Sequence, residues 1–215
     1  MTGVFALLAL GFLLGMRHAT DPDHVIAVTT IVARQKSASG AATIGAAWGL
    51  GHTLTILVVG GGIILFGWVI PPRIGLSMEF SVGLMLIVLG IMNLTGVMRR
   101  MADSRLMRVR PLVVGVVHGL AGSAAVAFLI LTTIRNPAWA LWYLLVFGLG
   151  TIVGMMLMTA IIVVPFTRSS HHFTRLGGGL RVASGVVSLA FGLFVAYRVG
   201  VVDGLFAGNP AWTPY

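Results

Sequence analysis

Six residues carry most of the chemistry this chain could perform. His18, Asp21, Asp23 and His24 fall in one short segment, Arg17-His-Ala-Thr-Asp-Pro-Asp-His24, while His52 and His118 stand alone farther on. Imidazole and carboxylate without thiolate suit a borderline divalent transition metal such as Ni²⁺, Co²⁺ or Zn²⁺, and suit Mg²⁺ or Ca²⁺ poorly. With no cysteine in the chain, a disulfide framework and a thiolate metal site are both excluded. The eleven methionines show no regular pairing and read as packing residues. Met155, Met156 and Met158 are the soft-ligand alternative. A single histidine such as His118 would by itself be read as an interhelical hydrogen-bond donor. Grouped with two aspartates in a chain almost devoid of other acidic groups, the histidines point to a metal or proton pathway.

The elements that must position them are apolar. Of 215 residues 58% are hydrophobic and 9% charged, whereas an ordinary soluble domain has about 25% charged. Such a chain cannot cover itself with polar surface and has to be dissolved in lipid. The 29 glycines, with long Leu/Val/Ile runs, favour helices packed through small residues over a β-barrel. The expected fold is all-α, a polytopic membrane protein with six transmembrane helices at about 3–33, 44–70, 76–98, 111–134, 138–166 and 182–202, each reaching the ~20 residues a crossing needs. The first is unusual. Its leading apolar run, Gly3 to Met16, covers only about 21 Å at ~1.5 Å per residue, so the crossing must include the polar segment and carry it to membrane depth. Pro22 removes a backbone donor and disfavours helix at Asp21, so the helix is expected to kink or open there. The N-terminus has no positive charge before Arg17 and no small-residue cleavage site, and is read as a span instead of a cleaved signal peptide.

The net charge of +9 would suggest nucleic acid in a soluble protein, but here the basic residues lie in gaps between spans, where they set topology, and no nucleic-acid partner is expected. The loops after the first, third and fifth spans hold ten of them, Arg34, Lys36, Arg99, Arg100, Arg105, Arg108, Arg110, Arg168, Arg175 and Arg181, whereas the opposite side holds Arg73, Arg135 and Arg198. Both termini are therefore expected outside, with a basic cytoplasmic linker at 99–110. Trp68, Trp139, Trp142, Tyr143, Tyr197, Trp212 and Tyr215 all fall at the predicted outer boundary. Counted from the cytoplasmic ends, His24, His52 and His118 lie roughly 10–14 Å deep. A repeat at a shift of about 100 residues pairs Gly15-x-x-His18 with Gly115-x-x-His118, Gly49-Leu-Gly-His with Gly148-Leu-Gly-Thr, and Gly83…Gly90 with Gly185…Gly192. Three helices per unit require the second copy to be inverted in the membrane. The chain is thus expected to be a single transmembrane domain over 1–215, repeat 1 at about 3–98 and repeat 2 at about 111–202.

The segment Arg17–His24 resembles the signature of the nickel/cobalt transporter family, Arg-His-Ala-x-Asp-Ala-Asp-His. Gly-Leu-Gly-His-Thr at 49–53 is similar to that family's second Gly-His-Ser/Thr motif, and His-Gly-Leu-Ala-Gly-Ser-Ala at 118–124 to its short, urease-accessory-like branch. Departures are Pro22 in place of the usual alanine, the absence of a later Asp-Thr motif, and six expected spans where the better-known permeases have eight. The resemblance implies uptake of Ni²⁺ or Co²⁺, with His18, Asp23, His24 and His52 as metal-handling positions, and the expected activity is import with nickel preferred over cobalt. Residue chemistry adds Asp21 and His118. The metal is cargo and no permanent cofactor is expected. No Gly-x4-Gly-Lys-Ser/Thr loop is present, which leaves an ion gradient, the membrane potential or a partner subunit as the driving force. The plasma (inner) membrane is the expected location, and a homo-oligomer or a partner subunit stays open. Two other classes are an intramembrane metalloenzyme, disfavoured by the lack of His-Glu-x-x-His, and a non-transporting adaptor that delivers or senses metal.

Overall fold

The computed structural model describes residues 2–32, 35, 37–97, 105–120, 134, 136–167 and 173–212. Within them the chain forms helices α1 (Thr2–His18), α2 (Pro22–Val32), α3 (Ala38–Phe66), α4 (Pro72–Leu94), α5 (Arg105–His118), α6 (Pro137–Thr167) and α7 (Phe173–Tyr197). A π-helical turn, Arg198–Val202, continues α7. No strand occurs among the described residues.

The polar segment opens the first expected span. α1 stops at His18, and two tight turns follow, with the Thr20 amide donating to the Arg17 carbonyl (2.8 Å) and the Asp21 amide to that of His18 (3.1 Å). Pro22 then starts α2 at the position where its missing N–H costs nothing. Elsewhere local signals set the ends. Ser37 caps α3 by accepting from the Gly40 amide (3.1 Å), and Gly67 closes it with φ of 63°. α5 begins six residues inside the stretch expected as linker, because Arg105-Leu-Met-Arg-Val-Arg110 consists mainly of good helix formers. Linker residues 99–104 lie outside the described set, as do Arg34, Lys36, Arg135, Arg168, His171, His172 and Tyr215.

α3, α4, residues 137–164 of α6 and residues 181–202 are long and apolar enough to cross a membrane, whereas α1, α2 and α5 are each shorter than a crossing. Large apolar side chains face outward, among them Leu50, Leu54, Leu65, Leu149, Leu157 and Ile161. This is the surface of a protein solvated by lipid.

Close packing runs through glycines. A Cβ on Gly15 would overlap the Phe147 carbonyl and the Thr151 amide, and one on Gly115 would overlap the Trp48 carbonyl and the His52 amide. These two contacts correspond residue for residue at an offset of 99 or 100. Gly83 meets Gly192 and Gly90 meets Gly185 in the same reciprocal manner, at an offset of 102. Contact registers also give directions. Gly49 against Ile152 and Gly45 against Met155 make α3 and α6 antiparallel, and the glycine contacts of α4 and α7 make them antiparallel too. α1 runs parallel to α6, with Gly11 on Tyr143 and Gly15 on Phe147, and α3 runs parallel to α5. Even the helix ends match. Ala19 donates to Gly15 and Thr20 to Arg17 after α1, while Gly119 donates to Gly115 and Leu120 to Val117 after α5.

One expected interfacial aromatic is displaced. Tyr143 is fully buried with Ile56, Leu144 and Phe147, because Gly11 leaves room for its ring against α1. Trp68, Trp139, Trp142 and Tyr197 are exposed. Met155 is a core residue beside Trp48 and Val28.

Candidate metal centre

Four helix segments deliver the histidines to one place. His18 is the last residue of α1, His24 lies in the first turn of α2, His52 is midway along α3, and His118 ends α5. Because the chain turns between His18 and Pro22, the two halves of the polar segment present imidazoles to each other, with the His18 and His24 ring centroids 4.6 Å apart. His24 is 5.0 Å from His52 and 4.1 Å from His118. All four rings are buried, His18 the least so at 5% exposed. The two carboxylates reach the edge of the cluster, with Asp23 at 19% and Asp21 at 38% side-chain exposure.

A carboxylate only accepts, so its partners dictate the tautomers. His18 Nδ1–H donates to Asp21 Oδ2 (2.8 Å) and His24 Nδ1–H to Asp23 Oδ1 (3.0 Å). Asp23 Oδ1 also accepts from the His24 backbone amide (2.9 Å), and Asp23 Oδ2 accepts from His118 Nε2–H (2.9 Å). The lone pairs of His18 Nε2, His24 Nε2 and His118 Nδ1 are left over from the bonds to the carboxylates. His18 Nε2 therefore accepts from His52 Nε2–H at 3.0 Å. His24 Nε2, His52 Nδ1 and His118 Nδ1 are buried without any hydrogen-bond partner. Unmet buried acceptors are costly unless something else satisfies them.

Two overlapping groups have ligand atoms within 4.8 Å of one another, His18 with His24 and His52, and Asp23 with His24 and His118. His24 belongs to both. The 3.0 Å between the facing nitrogens of His18 and His52 is also the separation of two cis ligands each about 2.1 Å from one ion.

All six residues singled out in the sequence thus converge, but not in the same role. Each carboxylate accepts from imidazole N–H groups, the orienting arrangement typical of metal-binding histidines, and Asp23 is also within ligand distance of His24 and His118. Arg17, adjacent to the site, is exposed and pairs with neither aspartate among the described residues. Two neighbours escaped sequence reasoning. Trp48 packs on His24 and His118 at 5.5 and 5.7 Å, and Phe147 on His18 at 5.7 Å. The available signal was spacing, since Trp48 precedes His52 by four residues and shares its helix face.

A buried imidazole–carboxylate cluster that could hold a metal ion, inside an apolar helical bundle, defines the class as a helical membrane protein with a candidate metal centre. The family described as NicO, high-affinity nickel-transport protein, matches residues 4–110. The urease accessory protein UreH of Bacillus sp. (strain TB-90) is 36% identical over 219 residues, covering 94% of this chain and 96% of that protein. This chain belongs to the NicO nickel-transporter family, in its short, UreH-like branch. No solved structure matches it.

Proposed function

We propose that the protein imports Ni²⁺, in preference to Co²⁺, across the plasma (inner) membrane through the His18–His24–His52 cluster. The observation that carries this reading is that His24, His52 and His118 each keep a buried ring nitrogen without a hydrogen-bond partner, in a cluster where every ring but that of His52 donates to Asp21 or Asp23. Nitrogen-rich sites bind Ni²⁺ more tightly than Co²⁺ along the Irving–Williams order. His118, with Asp23, extends the site to one side. Entry is favoured by an inside-negative potential at about 2.3 kcal/mol per charge per 100 mV, doubled for a divalent ion.

Six crossings in one domain over 1–215 take α1 with α2 as one crossing and α5 as the start of another, whose expected continuation over 121–133 lies outside the described residues. Two inverted units, about 3–98 and 111–202, are supported by the reciprocal contacts at near-constant offset and by the packing directions. α1 parallels α6, α6 opposes α3, and α3 parallels α5, so α1 and α5 run oppositely. Both termini then lie outside. Radiolabelled nickel flux into sealed proteoliposomes tests the function, with excess Co²⁺ as competitor. Saturable uptake that His24→Ala abolishes is expected. The accessory-protein name of the UreH relative favours a second reading, metal delivery without flux, which binding in detergent with no uptake into vesicles would establish instead.

A further inference from the structure

Trp48 and Phe147 occupy matching places on opposite sides of the imidazole cluster. Trp48 lies on α3, its ring against His118 at 5.7 Å and against His24 at 5.5 Å. Phe147 lies on α6, its ring against His18, also at 5.7 Å. Each ring therefore covers the histidine that ends a short helix, and each backbone carbonyl is the one pressed against the glycine three residues before that histidine, Gly115 or Gly15.

The antiparallel register separates them along the membrane normal. Gly49 faces Ile152 and the Thr53 hydroxyl donates to the Gly148 carbonyl (3.1 Å), which sets Phe147 level with Leu54. Six residue steps along α3 separate Trp48 from that level, about 9 Å at ~1.5 Å per residue, with His52 between them. Helical side chains lean toward their own N-terminus, so on antiparallel helices the two rings lean apart, Trp48 toward the Ala38 end of α3 and Phe147 toward its Phe66 end. Both are buried, and so is every imidazole between them. The indole N–H of Trp48 is buried with no acceptor, so no hydrogen bond of its own fastens that ring.

Resting on the import reading above, we propose that Trp48 and Phe147 are the two gates of the metal path, one toward each side of the membrane, and that this structure is the occluded state with both closed. Alternating access then requires only that one ring turn away while the other stays in place, which near-equivalent helix pairs allow.

The test uses the full chain in proteoliposomes and a readout that needs no metal. The natural sequence has no cysteine, so His52→Cys places a single thiol between the rings. With both aromatics present, a membrane-impermeant thiol reagent should label it slowly from either side. Adding Trp48→Ala should speed labelling by about tenfold or more from the Ala38 side only, and Phe147→Ala from the opposite side only, as expected when a closed gate controls access. Trp48→Phe, which keeps an aromatic cover, should remain protected, and Trp48→Leu serves if the alanine variant does not fold. Labelling unchanged by both replacements, or raised by both from the same side, overturns the proposal. A natural chain that binds no nickel, together with the two-sided labelling pattern in the His52→Cys variants, removes the metal assignment and keeps the gates. Nickel binding with unaltered labelling removes the gates alone.

Discussion

Replacing Asp23 by asparagine tests the site most sharply, because one carboxylate holds two imidazoles. Asp23 accepts three hydrogen bonds, from the His24 amide, from His24 Nδ1–H and from His118 Nε2–H, all between 2.9 and 3.0 Å. An asparagine offers one accepting oxygen and one donating NH₂. If the oxygen stays on His24, the NH₂ meets the N–H of His118 head on. That ring must then change tautomer or turn away, while the two bonds to His24 lose their ionic character. Bonds to a charged group contribute about 1.5–3 kcal/mol and neutral ones about half that. Loss of an outer-shell partner of this kind typically lowers metal affinity 10–100-fold, about 1.4–2.7 kcal/mol. Asp21→Asn should cost less, about tenfold at most, because Asp21 makes one bond, to His18, and at 38% exposure water can replace it. The assay is Ni²⁺ titration of purified protein against a competing chelator, with size exclusion and circular dichroism confirming the fold. An Asp23→Asn protein that binds within about twofold of the parent, or an Asp21→Asn protein that binds worse than it, would refute the assignment of Asp23 as the shared support.

The glycine contacts predict that Gly15→Ala and Gly115→Ala destabilise alike, by about 1–3 kcal/mol each through overpacking, because each new Cβ meets backbone atoms. Gly61→Ala, with open space at its Cβ, is the control in detergent melts, and a large difference between the first two would contradict their equivalence. Topology is checked by cysteines at residues 37–39 or 104, which should label only from inside, since labelling from outside in intact cells would reverse the orientation. Each ligating imidazole must be neutral, so protons compete with metal, and nickel affinity should fall as the pH is lowered. Measured uptake that rises on acidification would instead indicate proton-driven import.

Sequence alone was sufficient for the lipid solvent and the helical class, and it singled out the six polar residues that the fold brings together, because each follows from composition or from a cost that hydrocarbon imposes on every buried charge. Pro22 likewise announced the break between α1 and α2 through local sterics. The termini of α3, however, moved by several residues from the hydropathic estimate of 44–70, since an apolar run does not record where a capping Ser37 starts a helix or a left-handed Gly67 closes it. Tertiary structure decided what spacing could not. Tyr143 lies inside because Gly11 of another helix makes room for it. Asp21 and Asp23 accept from the imidazoles because the turn at 19–21 aims His18 and His24 at each other. Trp48 and Phe147 flank the site only through the register of α3 against α6, a relation between residues nearly 100 apart that arises when glycines let two backbones touch.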